Sequence, residues 1–118
     1  MKEGQMGVKI NIADVEMKPH PKFDGVKIGF VVTKDVCCEA SITILEIPGE
    51  TELPIHTHEK EADTIFVLQG EGEIFINGKW EPIKAGDIVT ILPKEEHGLK
   101  VKGEVPMRCY IIHAPALW

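Results

Sequence analysis

The sequence predicts an all-β, single-domain barrel, and three observations carry that prediction. Strand-length runs of β-branched and apolar residues recur along the chain, glycine and proline punctuate the gaps between them, and no segment supports a helix of useful length. Eleven glycines and eight prolines divide the 118 residues. The runs are Val26 to Val32, Ile42 to Ile47, Thr64 to Leu68, Glu73 to Ile76, Ile88 to Leu92, Leu99 to Val101 and Met107 to Ile112. Each has the length of an ordinary strand. Period-two alternation is clearest in Glu73-Ile74-Phe75-Ile76. The following Asn77-Gly78 tolerates the positive backbone angles of a two-residue hairpin turn, which sets Ile76 opposite Lys79. Glu59 to Asp63 is the best helical segment and is too short to stand alone. The first 24 residues, with Pro19, His20 and Pro21, read as an arm carrying one strand at Val8 to Ile12. Residues 25–118 then form the barrel.

Composition narrows the function classes. A chain of 118 residues fits one compact domain. Apolar residues make up 43%, too many for a disordered chain, and charged residues 27%, too many for a membrane protein. No apolar run approaches the ~20 residues of a spanning helix. The N-terminus lacks the apolar core of a secretory signal, which sets the expectation of a cytoplasmic protein. The net charge of -6, with scattered lysines, repels phosphate backbones and argues against a nucleic-acid partner. The three cysteines are an odd number, and adjacent Cys37 and Cys38 point to opposite faces if extended, so they read as reduced thiols rather than a disulfide or metal motif.

The chemistry-bearing residues are histidines. His56 and His58 are two apart, so on an extended segment from Leu53 to His58 they lie on one face, roughly 6.6 Å apart at the backbone. Two imidazoles so placed can converge on one ion, whose bonds to nitrogen run near 2.0–2.1 Å for zinc. His97 follows a strand that begins after Gly86 and stops at Pro93, near the end of a different strand.

Two stretches resemble a known family. Gly49, His56, His58, Asp63 and Gly70 are similar to the first motif of the cupins, and Gly86, Pro93 and His97 to the second, in the same order and with a tolerated interval. The resemblance covers about residues 25 to 115. It implies a double-stranded β-helix, or jelly-roll, barrel holding one divalent transition metal ion (iron, manganese, zinc, nickel, copper or cobalt) through His56, His58, Asp63 and His97. The chain departs from the motifs at four places. Asp63 stands for the usual glutamate, one methylene shorter, and so ligates directly, through a water, or not at all. The gap from Gly49 to His56 is one residue longer, which calls for a bulge or wider turn. Lys94 replaces a customary glycine, and Val101 an asparagine. Such a site implies a metal-dependent enzyme of dioxygenase, lyase or isomerase type acting on a small oxygenated metabolite, or a binding or sensing module without turnover. Small cupins usually pair, and the arm is similar to those that extend a partner's sheet, which implies a homodimer.

The remaining candidates have two readings each. Arg108 prefers solvent, so Cys109, Ile111 and His113 share the inward face. His113 is then a base or substrate contact, or a histidine at the barrel rim, and Tyr110 is a further catalytic candidate. Cys109 is an oxidisable thiol near the metal or a small core residue. Phe30, Phe66, Phe75 and Trp80 line a pocket or fill the core and a dimer interface. His20 reads as surface, and Glu52, Glu59, Lys60 and Glu61 as a solvated loop at the barrel mouth. Inward-facing Ile, Val, Phe and Leu imply a largely apolar pocket.

Overall fold

The computed structural model describes residues 7–118. The chain builds an all-β jelly-roll barrel from β1 (Met17–Pro19), β2 (Lys27–Val32), β3 (Ser41–Ile47), β4 (Glu52–His56), β5 (Ala62–Gln69), β6 (Glu71–Ile76), β7 (Lys79–Lys84), β8 (Ile88–Ile91), β9 (His97–Val101) and β10 (Met107–Ala114). One sheet runs β1-β2-β3-β10-β5-β8 and the other β4-β9-β6-β7. Every pairing is antiparallel. Among the described residues no helix is long and apolar enough to cross a membrane.

Alternation along the strands builds the core. Strand β10 reads buried, half-buried, buried along Met107 to His113, so Met107, Cys109, Ile111 and His113 face inward and Arg108, Tyr110 and Ile112 outward. Leu45 and Ile47 from β3, Ile65 and Val67 from β5, and Ile74 from β6 meet Met107, Cys109 and Ile111 in one apolar cluster. Burial of these side chains contributes roughly 1.5–3 kcal/mol each.

The hairpin at Asn77-Gly78 has positive φ at both residues (52° and 78°) and pairs Ile76 with Lys79, as the sequence requires. The extra residue before His56 appears as a register shift between Leu53 and His56, inside β4 rather than ahead of it. No helix forms over Glu59 to Asp63; the chain bends and β5 begins at Ala62.

The expected strand at Val8 to Ile12 is absent. Those three apolar residues, Val8, Ile10 and Ile12, are exposed, and the chain turns through a 3-10 helix at Ile12–Asp14, capped by the Asn11 side chain on the Ala13 N–H (2.8 Å). Among the described residues no strand lies beside Val8 to Ile12 to satisfy strand hydrogen bonds. The arm's strand is β1, five residues further on. It lies along β2 because Gly29 has no Cβ, and a Cβ there would collide with Val15 and Met17.

The end of β4, the start of β5, the start of β9 and the end of β10 meet at one end of the barrel. All the candidate ligands sit there.

Candidate metal centre

Strand register assembles the cluster. His56 closes β4 and pairs with His97, the first residue of β9, so their rings lie 4.2 Å apart. His58 sits past the strand end, in the loop to β5, with its ring 5.2 Å from His56 and 5.1 Å from His97. The Lys94 N–H donates to the His58 carbonyl at 2.7 Å and ties this loop to the one that leads into His97. Asp63, the second residue of β5, stands directly across from His113 on β10. Both are buried, at 5% and 6% exposure. One carboxylate oxygen, Asp63 Oδ2, lies 3.3 Å from His97 Nε2, 3.4 Å from His113 Nε2 and 3.5 Å from His58 Nε2. Two donor sets result: His56, His58 and His97, and His58, Asp63 and His113, each with ligand atoms within 4.8 Å of one another.

Hydrogen bonds at the far ring nitrogens say what the near ones can do. The Pro54 carbonyl lies 2.8 Å from His56 Nδ1, and the Glu95 carbonyl 3.2 Å from His97 Nδ1. A carbonyl only accepts, so in both rings Nδ1 carries the proton and the neutral ring offers a lone pair at Nε2. This is the arrangement typical of metal-bound histidine. His97 Nε2 is buried and has no hydrogen-bond partner, yet it faces an anionic oxygen at 3.3 Å. Two lone pairs at that distance need positive charge, either a proton that makes the ring cationic or a metal ion. His113 is different. Its Nδ1 is buried without a partner, so its proton belongs on Nε2, donated to Asp63. The residues present therefore fit a divalent cation, with His113 holding the carboxylate.

The titrations follow from this packing. Burial alone pushes the Asp63 carboxyl up, but the His113 hydrogen bond and the close His58 and His97 rings outweigh it and hold the group well below the usual carboxylate range. Burial lowers the His56 pKa, against the bond to Pro54. Burial, then the nearby Asp63 charge, pushes the Cys109 thiol up to about 12. Cys109 is therefore an inert core thiol, fully buried among aliphatic residues.

A cavity of about 450 Å³ opens from the cluster into the barrel. Its walls include Ile28, Leu45, Leu53, Ile65, Ile74 and Ile111, the apolar surface expected from period-two strands. Of the two readings of the strand aromatics, pocket lining is the one that fails. Phe30, Phe66, Phe75 and Trp80 do not line it; Phe75 stacks on Trp80, and Phe30 on Trp118. Phe23 and Trp118 line it instead. His20 is half-buried rather than free at the surface: it lines the same cavity, packing on Phe23 at 4.7 Å and edge-on against Trp118 at 5.8 Å. Tyr110 sits on the outward face of β10 and does not reach the cavity, which removes it as a catalytic candidate. Cys37 and Cys38 are free and lie outside it, Cys37 half-buried and Cys38 exposed. Phe23, His20 and Trp118 escape a sequence reading because they come from the two ends of the described chain. Only tertiary packing, with Ser41 Oγ accepting from the Leu117 and Trp118 N–H groups, brings them to the mouth.

Known proteins agree with this architecture. An oxalate-binding protein of Thermotoga maritima is 33% identical over 63 residues, a match covering 53% of this chain and about half (52%) of that protein. Among solved structures, a predicted oxalate decarboxylase from Thermotoga maritima superimposes with a TM-score of 0.83 at 22% identity, covering 92% of this chain and 99% of that one. Ectoine synthase from P. lautus superimposes at 0.78 with 22% identity, covering 95% and 80%. At such identities these structures speak for the fold. The sequence model of the cupin domain matches residues 43–113, a span that holds His56, His58, Asp63, His97 and His113. With more than half of its length matched and the barrel in place, the chain belongs to the cupin family.

Proposed function

We propose that this cupin holds one divalent transition metal ion with His56, His58, His97 and Asp63 and uses it to bind a small oxygenated metabolite in the barrel cavity. One observation carries the reading: the buried, unpartnered Nε2 of His97 faces the Asp63 carboxylate at 3.3 Å. The oxalate-binding name of one relative supports a small oxygen-bearing ligand. When bound, such an ion supplies Lewis-acid polarisation of a ligand oxygen, or redox chemistry if it is iron, manganese or copper. The chain's own part is to orient and exclude. Pro54 and Glu95 fix two imidazoles, His113 holds Asp63, and aliphatic walls keep bulk water out of a site of low dielectric.

An enzyme of dioxygenase, lyase or isomerase type and a binding or sensing module both use this arrangement. Turnover of a panel of small oxygenated acids by the loaded protein separates them; tight binding with no turnover assigns the module. Elemental analysis of protein purified without a histidine tag should find one ion per chain. His97→Ala and His56→Ala should each weaken it by about 100-fold or more, since outer partners of metal ligands alone are worth about 10–100-fold. His113→Gln, which keeps a donor for Asp63, should retain more affinity than His113→Ala. Full metal occupancy in His97→Ala would sink the assignment.

We also propose a homodimer. Val8, Ile10 and Ile12 alternate and are exposed, the pattern of a strand awaiting a partner sheet. On the outer face of the larger sheet, half-buried Tyr110 and Phe66 align with Ile88 in one cross-strand row, and Ile88 is 68% exposed.

A further inference from the structure

Resting on the metal reading above, we infer that the ligand is a monoanionic chelator with an apolar body, such as a 2-oxo acid with an aliphatic or aromatic side chain, and not oxalate. Charge and volume both lead there. Among the described residues, Asp63 is the single carboxylate side chain lining the cavity, and Lys22 the single Lys or Arg, exposed at its mouth. One divalent ion with one carboxylate and neutral imidazoles leaves one net positive charge in the buried cluster. A monoanion neutralises it. A dianion such as oxalate leaves an excess negative charge there, and a buried charge without a partner is strongly disfavoured.

The walls decide what the rest of the ligand is. Beyond the cluster the cavity is bounded by Ile28, Leu45, Leu53, Ile65 and Ile74, all buried, from five different strands and both sheets. Oxalate gripped at one end turns its other oxygens toward a mainly aliphatic wall, where the Thr43 hydroxyl and the Trp118 indole N–H are the few donors on offer beyond the histidines. An alkyl or aryl body is matched to that wall. The volume of about 450 Å³ falls within the range of about 300–1,000 Å³ for pockets that take organic ligands. At about 30 Å³ per liquid water it accommodates on the order of fifteen waters, several times what oxalate displaces. A ligand that fills it gains the hydrophobic contribution of each group it buries, about fourfold in affinity per methylene.

The test is a calorimetric titration of the metal-loaded, unmodified protein with oxalate, pyruvate and 4-methyl-2-oxopentanoate. Pyruvate and 4-methyl-2-oxopentanoate share the same chelating end and differ in apolar body. The expected order is 4-methyl-2-oxopentanoate tightest, about tenfold or more over pyruvate, with oxalate weakest. Oxalate binding tighter than the branched acid overturns the inference, as does equal affinity of the two oxo acids or the absence of binding by all three to a protein that holds its ion. A protein that holds no ion fails the metal reading instead, and elemental analysis beforehand separates the two. The narrowing variant Leu45→Phe, checked for an unchanged melting profile, should weaken the branched acid while leaving pyruvate within about twofold.

Discussion

Burial of the rings at the cavity mouth makes the metal-free protein acid-sensitive. His56 is lowered by burial, partly opposed by its bond to Pro54, and His20 by burial and then by the charges of Lys22 and His56. With folded values below the ordinary one, near 6.5, the unfolded chain takes up protons first as pH falls. Stability is therefore intact above the ordinary value and is lost as pH drops through the folded values. Asp63 acts in the same direction at lower pH: its depressed carboxyl contributes stability above the ordinary carboxylate value, and that contribution is lost only in stronger acid. The urea midpoint of metal-free protein should fall between pH 7 and pH 5, and His20→Asn should flatten the slope. A midpoint constant across that window would contradict the burial of both rings. At this scale the neighbourhood of His56 and His58 is legible, because spacing on extended chain is a local property, whereas His97 enters through the resemblance of its stretch to the second cupin motif. The sequence misplaces His20, whose partners Phe23 and Trp118 include one 98 positions away.

Two loops and their hydrogen bonds decide whether the strands deliver their histidines to one point. Lys94 sits in the loop between β8 and β9 with φ of 71°, at the position where the related motif carries glycine. A side chain in the left-handed region costs roughly 1–2 kcal/mol, offset in part by the greater freedom that glycine gives the unfolded chain. Lys94→Gly should therefore stabilise the protein by about 0.5–1 kcal/mol, read from thermal melts, with ion affinity unchanged. Lys94→Pro removes both the required φ and the N–H that holds the His58 carbonyl at 2.7 Å. It should destabilise by about 2 kcal/mol or more and loosen the ion. Equal metal affinity in the Lys94→Pro protein would show that the tether is dispensable. The strands were legible through alternation and through Asn77-Gly78. Strand β4 and its bulge were less so, because Pro54 and the flanking charges mask the period.

The molecule as a whole leaves apolar surface on one side of the larger sheet and along the arm. If these meet across a dimer, sedimentation at tens of micromolar should give twice the monomer mass. Val8→Asp with Ile10→Asp should shift it to monomer while the melting profile of the barrel stays close to the parent. A monomeric parent would remove the dimer. The barrel itself was readable from punctuation and period. The arm was not, because Val8 to Ile12 has a strand's pattern and no pairing strand among the described residues, and pairing depends on what lies alongside. The cavity's aliphatic walls were predictable for the same reason the strands were, whereas the closure of its mouth joins residues from both ends of the described chain.

That closure gives the protein a built-in optical reporter. Of its two tryptophans, Trp80 lies against Phe75 with the Lys100 ammonium 4.1 Å from its ring centroid, on the four-stranded sheet. Trp118 lines the cavity beside His20. Indole emission from Trp118 therefore registers the polarity of the cavity and the arrival of a quenching ion, while Trp80 serves as an internal reference. Occupancy of the barrel is readable by fluorescence from the unlabelled chain.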